Sequence, residues 1–477
     1  MSAKQEIIEI IEEKSQDFAA VSDAIWDYRE IRYEVGRSAA ALCKLLEEAG
    51  FQIQHGIAGM AHAFTAAFGS EGPAVGILAE YDALSGMSQV CDSPVKEEEK
   101  PGGSGHGCGH NALGAGAVAG AVGIAGYLRR QQLPGIIKVF GCPAEESGYG
   151  KAFMAREGVF DSVDALLTWH PMDSTGVWGR STLAVNQLYF NFKGLSSHAG
   201  AAPEMGRSAL DAAELMNVGV QFLREHIIDK ARIHYAFMDV GGQAANVVQS
   251  SARLHYFIRA PKQQEAMDIT ERVIRIAQGA ALMTDTEMEV VWDAAAADYI
   301  VNKTLGNVMY QNLQLTAPIH YTEEEYAYAR PFFDSLGPQV KSGLEAKFRS
   351  DFPDMPEEKI LEMAESPINS ALMPCQYSDV PMTGSTDVGD ASWIAPTGQI
   401  TVAYGPNGSG PHSWQWVACG KSSIAHKALL TAGKVIAMTA YDMLQDPDIL
   451  KAARAEHRRN LGGRSYKSVM PDSVIPN

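Results

Sequence analysis

The segment His106-Gly107-Cys108-Gly109-His110-Asn111 places one thiol and two imidazoles within five residues. Its glycines let the backbone turn tightly. An acidic pair, Glu145-Glu146, follows about one βα unit later, and His170 and His412 stand at the ends of apolar runs further on. Thiolate, imidazole and carboxylate together are the donors that a borderline divalent ion such as zinc or manganese takes. Each is ordinary alone. A lone Cys is usually a small buried hydrophobe, a lone His a hydrogen-bonded core residue, and an isolated Glu-Glu pair a solvated helix start. The three clusters together, with Pro143-Ala144 leading into the carboxylates and Trp169-His170-Pro171 beyond them, predict a metal-dependent hydrolase. A zinc-ribbon-like structural module does not fit, because the Cys and His lack paired Cys-x-x-Cys spacing. Cys43, Cys91, Cys142, Cys375 and Cys419 read as ordinary residues.

The elements around these residues predict where they meet. Short apolar runs with turn residues nearby predict strands at 74–79, 136–140 and 163–168, and helices fit at 111–130 and 151–157. Alternating strand and helix points to an α/β domain with a largely parallel sheet. Sites in such sheets form beyond the carboxyl ends of the strands. Glu80-Tyr81-Asp82, Glu145-Glu146 and His170 all directly follow predicted strands, so they converge on one edge. Residues 3–50 read as two helices, with Gly50 as the closing cap. Residues 187–299 read differently: strand 188–192, helix 208–225, strands 234–240 and 247–259, helix 263–279 and strand 287–293. That βαββαβ order is the ferredoxin-like pattern of an inserted second domain. The expected organisation is a catalytic α/β domain in two parts, 1–186 and 300–477, an inserted α+β domain at 187–299, and an irregular insertion at 318–380 with helical pieces near 323–329 and 357–364. The loop 88–105 reads as a solvated surface loop.

A chain of 477 residues suggests two or more domains. Its hydrophobic fraction of 46% and charged fraction of 20% are those of a globular protein. The formal net charge of −18 argues against nucleic acid or anionic membranes as partners. Six cysteines without a regular framework point to a reducing compartment, hence the cytoplasm. The N-terminal segment is charged and has no apolar signal-peptide region. The most apolar stretch, 112–128, is rich in Gly and Ala and short for a membrane span, so it reads as a buried helix.

The Cys-His motif, Pro143-Ala144-Glu145-Glu146, and residues 194–203 (Gly-Leu-Ser-Ser-His-Ala-Gly-Ala-Ala-Pro) resemble the M20 metallopeptidases and amidohydrolases. The Cys motif is similar to that of the aminoacylase and indole-acetyl-amino-acid hydrolase branch. Residues 384–390 (Gly-Ser-Thr-Asp-Val-Gly-Asp) and the long insertion resemble the p-aminobenzoyl-glutamate hydrolases within it. The resemblance implies an α/β metal domain, a ferredoxin-like lid that dimerises, and two divalent ions, Mn²⁺ or Zn²⁺. It implies that Cys108 bridges the ions, with His110, Glu146, His170 and His412 as further ligands and Glu145 as general base. His198 and Asn246 would reach substrate from the lid. Arg259, at the end of a lid strand, is the candidate grip for a substrate carboxylate. The implied substrate is a small N-acyl amino acid, with an aromatic acyl group on Glu or Asp. The implied partner is a second copy through the lid or a related subunit. The alternative is a non-autonomous subunit, inactive without that partner. The branch has Asp where this chain has Glu80 and Asn111; neither position counts among the five ligands. Asp82 keeps its place and is expected to orient a ligand.

Overall fold

The computed structural model describes residues 2–476. Among the described residues, eleven strands form two sheets. They are β1 Gln52–His55, β2 Phe64–Phe68, β3 Ala74–Glu80, β4 Ile136–Cys142, β5 Ala165–Met172, β6 Gly176–Val177, β7 Ala184–Lys193, β8 Arg232–Asp239, β9 Ser251–Ala260, β10 Glu287–Ala296 and β11 Thr397–Ala403. The larger sheet runs β1-β2-β4-β3-β5-β11-β6. Its centre, β4-β3-β5-β11, is parallel, while β2 and β6 run antiparallel to their neighbours at the flanks. The expected mostly parallel α/β sheet is present. The smaller sheet, β10-β7-β9-β8, is antiparallel throughout. Helices Ala209–Leu223 and Gln263–Thr284 complete its βαββαβ order.

The core of the larger layer is the helix His110–Gln131, buried almost throughout. It is long and apolar enough to cross a membrane by composition, yet 94% of its most apolar window is buried inside the protein. Small residues are what permit this burial. A Cβ on Gly433, in the helix Ser423–Gln445, would lie 2.9 Å from the Ala119 side chain and 3.1 Å from the Gly116 carbonyl. The two helices therefore pack backbone against backbone. Trp169 of β5 donates its indole N–H to the Leu113 carbonyl at 2.9 Å, tying the sheet to the same helix. This packing fixes the N-terminus of the helix, where His110 sits.

Several boundaries differ from the sequence reading. The N-terminal region holds three helices, Ala3–Glu12, Ser15–Tyr28 and Gly36–Glu48, not two. Gly50 does close the third, at φ 85°, with Phe51 N–H donating to the Leu46 carbonyl. His170 lies inside β5 rather than after it. Proline is disfavoured in a central strand, so the sequence signal stops short of Pro171. Pairing of β5 with β3 ends at Leu167, however, and only β11 accompanies β5 through Pro171. A proline is tolerated on such a half-free strand. The insertion contains a third helix, Pro338–Asp351, between Glu323–Asp334 and Glu357–Glu365. Phe333, Leu344, Phe348 and Ile360 pack these helices around a small core of their own.

Overpacking the helix contact should cost stability. Gly433→Leu is expected to lower unfolding free energy by about 1–3 kcal/mol, read as a lower denaturation midpoint in urea. An unchanged midpoint would show that the two helices can move apart at no cost.

Candidate metal centre

Three strand ends and two loops deliver the site. β3 ends on Glu80 and leads to Asp82. β4 leads into Pro143-Ala144-Glu145-Glu146. Ala144 takes a left-handed φ of 63°, and its carbonyl accepts from the Gly148 and Tyr149 N–H groups, which closes the turn that presents both carboxylates. β5 carries His170. The Cys108 loop precedes the helix that begins at His110. His412 lies beyond β11, also left-handed at φ 65°. Its N–H donates to the Gly107 carbonyl at 2.6 Å, which pins it to the Cys108 loop.

Cys108 stands where two donor groups meet. Ligand atoms of Cys108, His110 and His170 lie within 4.8 Å of one another, and so do those of Cys108, Glu146 and His412. The Cys108 Sγ is 3.6 Å from His170 Nε2, and His412 Nε2 is 3.2 Å from Glu146 Oε2. Asp82 organises the centre from behind. Its Oδ1 is 3.3 Å from His110 Nδ1, and its Oδ2 accepts from the Glu146 N–H at 3.1 Å. With Nδ1 committed to Asp82, His110 turns Nε2 into the cluster.

The chemistry of this cluster fits divalent ions. Glu80, Asp82, Glu145 and Asp387 are buried, and the Glu146 side chain is only 6% exposed. Lys151 is the only lysine or arginine buried among the described residues. Carboxylates are not kept dry in such numbers without compensating positive charge. Glu80 Oε2, His110 Nε2 and Glu146 Oε1 are buried with no hydrogen-bond partner. All three belong to this one cluster.

The paired carboxylates are driven apart electrostatically. Burial, followed by the charges of Glu80, Glu146 and Asp387, pushes the Glu145 carboxyl well above the usual carboxylate range. Burial would raise Glu146 too. Its hydrogen bond to His412 and the charges of His110 and His412 outweigh that and hold it below the usual range. Two carboxylates with oppositely shifted affinities for protons are the pattern of a proton-transfer group beside a permanently anionic one. Burial pushes the Cys108 thiol upward, with Glu146 adding to it, so its ionisation depends on a cation replacing the proton.

The lid residues stand elsewhere. His198 and Asn246 are exposed. The Ala199 N–H donates to the Asn246 carbonyl at 2.9 Å, so the two loops pair with each other. Among the described residues, no hydrogen bond or ion pair joins either side chain to the metal cluster. His198 Nδ1 accepts from the Gly200 and Ala201 N–H groups, both at 3.1 Å. That leaves Nε2 to carry the proton and makes His198 an outward-facing donor. Arg259 is half-buried on β9. Burial raises the Tyr149 phenol and the Arg259 charge offsets part of that rise.

Some of the surroundings escaped the sequence reading. His106 is no part of the cluster: its Nε2 lies 3.0 Å from the Ile25 carbonyl, and burial pushes its pKa down to about 3. Asn111 donates to Ser22 Oγ and to the Gly420 carbonyl, so its side chain anchors the helix start rather than the metal cluster. Lys151 carried no signal, because nothing in the sequence marks a lysine as buried. It pairs with Asp387 and lies 2.8 Å from Glu80 Oε1.

Residues 76–419 match the model of peptidase family M20/M25/M40. Over 471 residues the chain is 40% identical to a subunit of p-aminobenzoyl-glutamate hydrolase from Escherichia coli (strain K12), covering 99% of this chain and 98% of that one. It is 28% identical to the Xaa-Arg dipeptidase of Mus musculus, covering 96% of this chain and 93% of that one. A dinuclear metal-binding peptidase of family M20 from Bacillus subtilis has the same fold, with a TM-score of 0.51 at 17% identity over 90% of this chain and 99% of that one. The chain belongs to peptidase family M20 and is a metal-dependent amidohydrolase.

Proposed function

We propose that this enzyme hydrolyses aromatic N-acyl conjugates of glutamate or aspartate, such as p-aminobenzoyl-glutamate or indole-3-acetyl-aspartate, with two divalent ions per subunit, Mn²⁺ or Zn²⁺. The observation that carries the reading is the meeting of two donor groups at one thiol, Cys108. Cys108, His110 and His170 would hold one ion, and Cys108, Glu146 and His412 the other. The E. coli relative's name supports the substrate class. The complete donor set disfavours a chain that only assists assembly. The six cysteines are all free, which is in keeping with a cytoplasmic enzyme.

Bound ions would polarise the amide carbonyl and lower the pKa of water from 15.7 toward about 7. Glu145 faces the same cluster and retains affinity for a proton. It takes the proton of the attacking water and returns it to the leaving nitrogen. Glu146, held anionic by His412, stays a ligand. His198, with its proton on Nε2, donates to the developing oxyanion, and Asn246 beside it contacts substrate. Both stand apart from this chain's cluster, which supports their serving the site of another subunit. The exposed edge strand β8 supports that arrangement: Tyr235, Phe237 and Met238 lie open to solvent on it, and an uncovered apolar edge is where a second chain pairs. The partner is a second copy or, as the E. coli relative's designation as a subunit suggests, a related chain.

Three outcomes test this reading. Glu145→Gln should keep both ions and lose kcat by at least about 10²-fold, as for a removed general base, while Glu146→Gln also loses metal affinity. Identical metal titrations for the two variants would refute the division of labour. A mixture of His198→Ala and Glu145→Gln protomers should regain activity in the hybrid. Heterodimers that form yet stay inactive would argue against a shared site. Finally, kcat/KM for an acyl-glutamate should far exceed that for its α-carboxamide, and Arg259→Lys should raise KM more than it lowers kcat. Equal values for acid and amide would remove the carboxylate grip.

A further inference from the structure

We propose that Glu80 is a sixth donor of the metal centre, set against the ion-facing nitrogen of His110 and locked there by Lys151 and Asp387. The inference rests on the five-residue, two-ion reading above and adds a residue that reading does not use.

Glu80 ends β3 and is 1% exposed. Its two oxygens have different surroundings. Oε1 lies 2.8 Å from Lys151 Nζ. Oε2 lies 3.3 Å from His110 Nε2, yet neither of these two atoms has a hydrogen-bond partner. Since Nδ1 of His110 faces Asp82, Nε2 is the only atom through which this imidazole can bind an ion. A Glu80 oxygen, this nitrogen and a Glu145 oxygen all lie within 4.8 Å of one another. Two buried polar atoms that face each other without bonding are both placed to bind a third body, and a cation satisfies both.

The clamp behind Glu80 gives the carboxylate a fixed direction. Lys151 is fully buried. Its ammonium contacts Asp387 as well as Glu80, and its own N–H donates to Asp387 Oδ2 at 2.8 Å. Asp387 immediately precedes the helix Val388–Ile394, its carboxylate turned to Lys151 rather than to the helix N–H groups. One oxygen of Glu80 is thus committed, and the other is aimed by it. Glutamate is needed for the reach. Aspartate at this position would withdraw the carboxylate by about 1.5 Å, one carbon–carbon bond. An anionic oxygen added to a thiolate and two imidazoles also makes the pocket harder, which moves its preference from zinc toward manganese.

Glu80→Gln keeps the volume and an oxygen for Lys151 but loses the charge; Glu80→Asp keeps the charge but loses the reach. Both variants and the wild type are stripped, then titrated with Mn²⁺ against a chelator, with bound metal counted by elemental analysis. The same proteins loaded with Co²⁺ are compared by visible absorption, which intensifies as ligand number falls. Both variants are expected to lose at least about tenfold in affinity for one of the two ions and to give stronger cobalt bands. Wild-type affinity and spectrum in both variants would overturn the proposal. A loss confined to Glu80→Gln would overturn ligation as well, leaving Glu80 a through-space charge. A wild type that binds fewer than two ions would overturn the underlying two-ion reading, which the Cys108→Ala variant checks separately.

Discussion

Buried negative charge is the constraint on which this molecule depends. The parallel strands β3, β4 and β5 all end on one side, and each delivers acidic or metal-ligating side chains there. Glu80, Asp82, Glu145 and Asp387 end up buried around a thiol and three imidazoles, with one buried ammonium among them. A protein interior tolerates such a cluster only with strong countercharge. Divalent ions supply it in the most compact form. The fold holds the helix that begins at His110 in place through the glycine-lined contact of helices His110–Gln131 and Ser423–Gln445.

The same charges sort the residues into roles. Each carboxylate is defined by its neighbour: Asp82 by His110 and the Glu146 N–H, Glu146 by His412, Glu80 by Lys151. Burial, with the charges of Glu80, Glu146 and Asp387, raises the affinity of Glu145 for a proton, and His110 offsets only part of that rise. A proton-transfer group arises here as the acid the cluster compensates least. Backbone strain contributes at Ala144 and His412, both left-handed. Such conformations persist when their surroundings hold them, and they concentrate at functional sites.

Much of this was legible in the sequence. Three of the four central strands (β3, β4 and β5, but not β11), the motif helix and the βαββαβ order of the second sheet follow from periodicity, because each buries a regular apolar face. Cys108, His110 and the Glu145-Glu146 pair stood out by type and spacing, the family resemblance pointed to His170 and His412 as partners, and the fold brings all six near one another. The rest was hidden for physical reasons. β1, β2 and β6 are short flanking strands with little pattern. Pro171 masks the end of β5. Glu80 reads as a minor exchange for aspartate until its oxygens are seen to face Lys151 and His110. Lys151 belongs to a helix whose sequence gives no reason to expect a buried charge, since burial there depends on Asp387, more than two hundred residues away.

The central claim is that one thiolate joins two ions. The most direct measurement is anomalous diffraction from crystals of the enzyme loaded with manganese or zinc, recorded on both sides of the metal's absorption edge. The account predicts two peaks, each within bonding distance of Cys108 Sγ, one towards His110 and His170 and the other towards Glu146 and His412. A single peak, or two peaks that do not share Cys108, would contradict it.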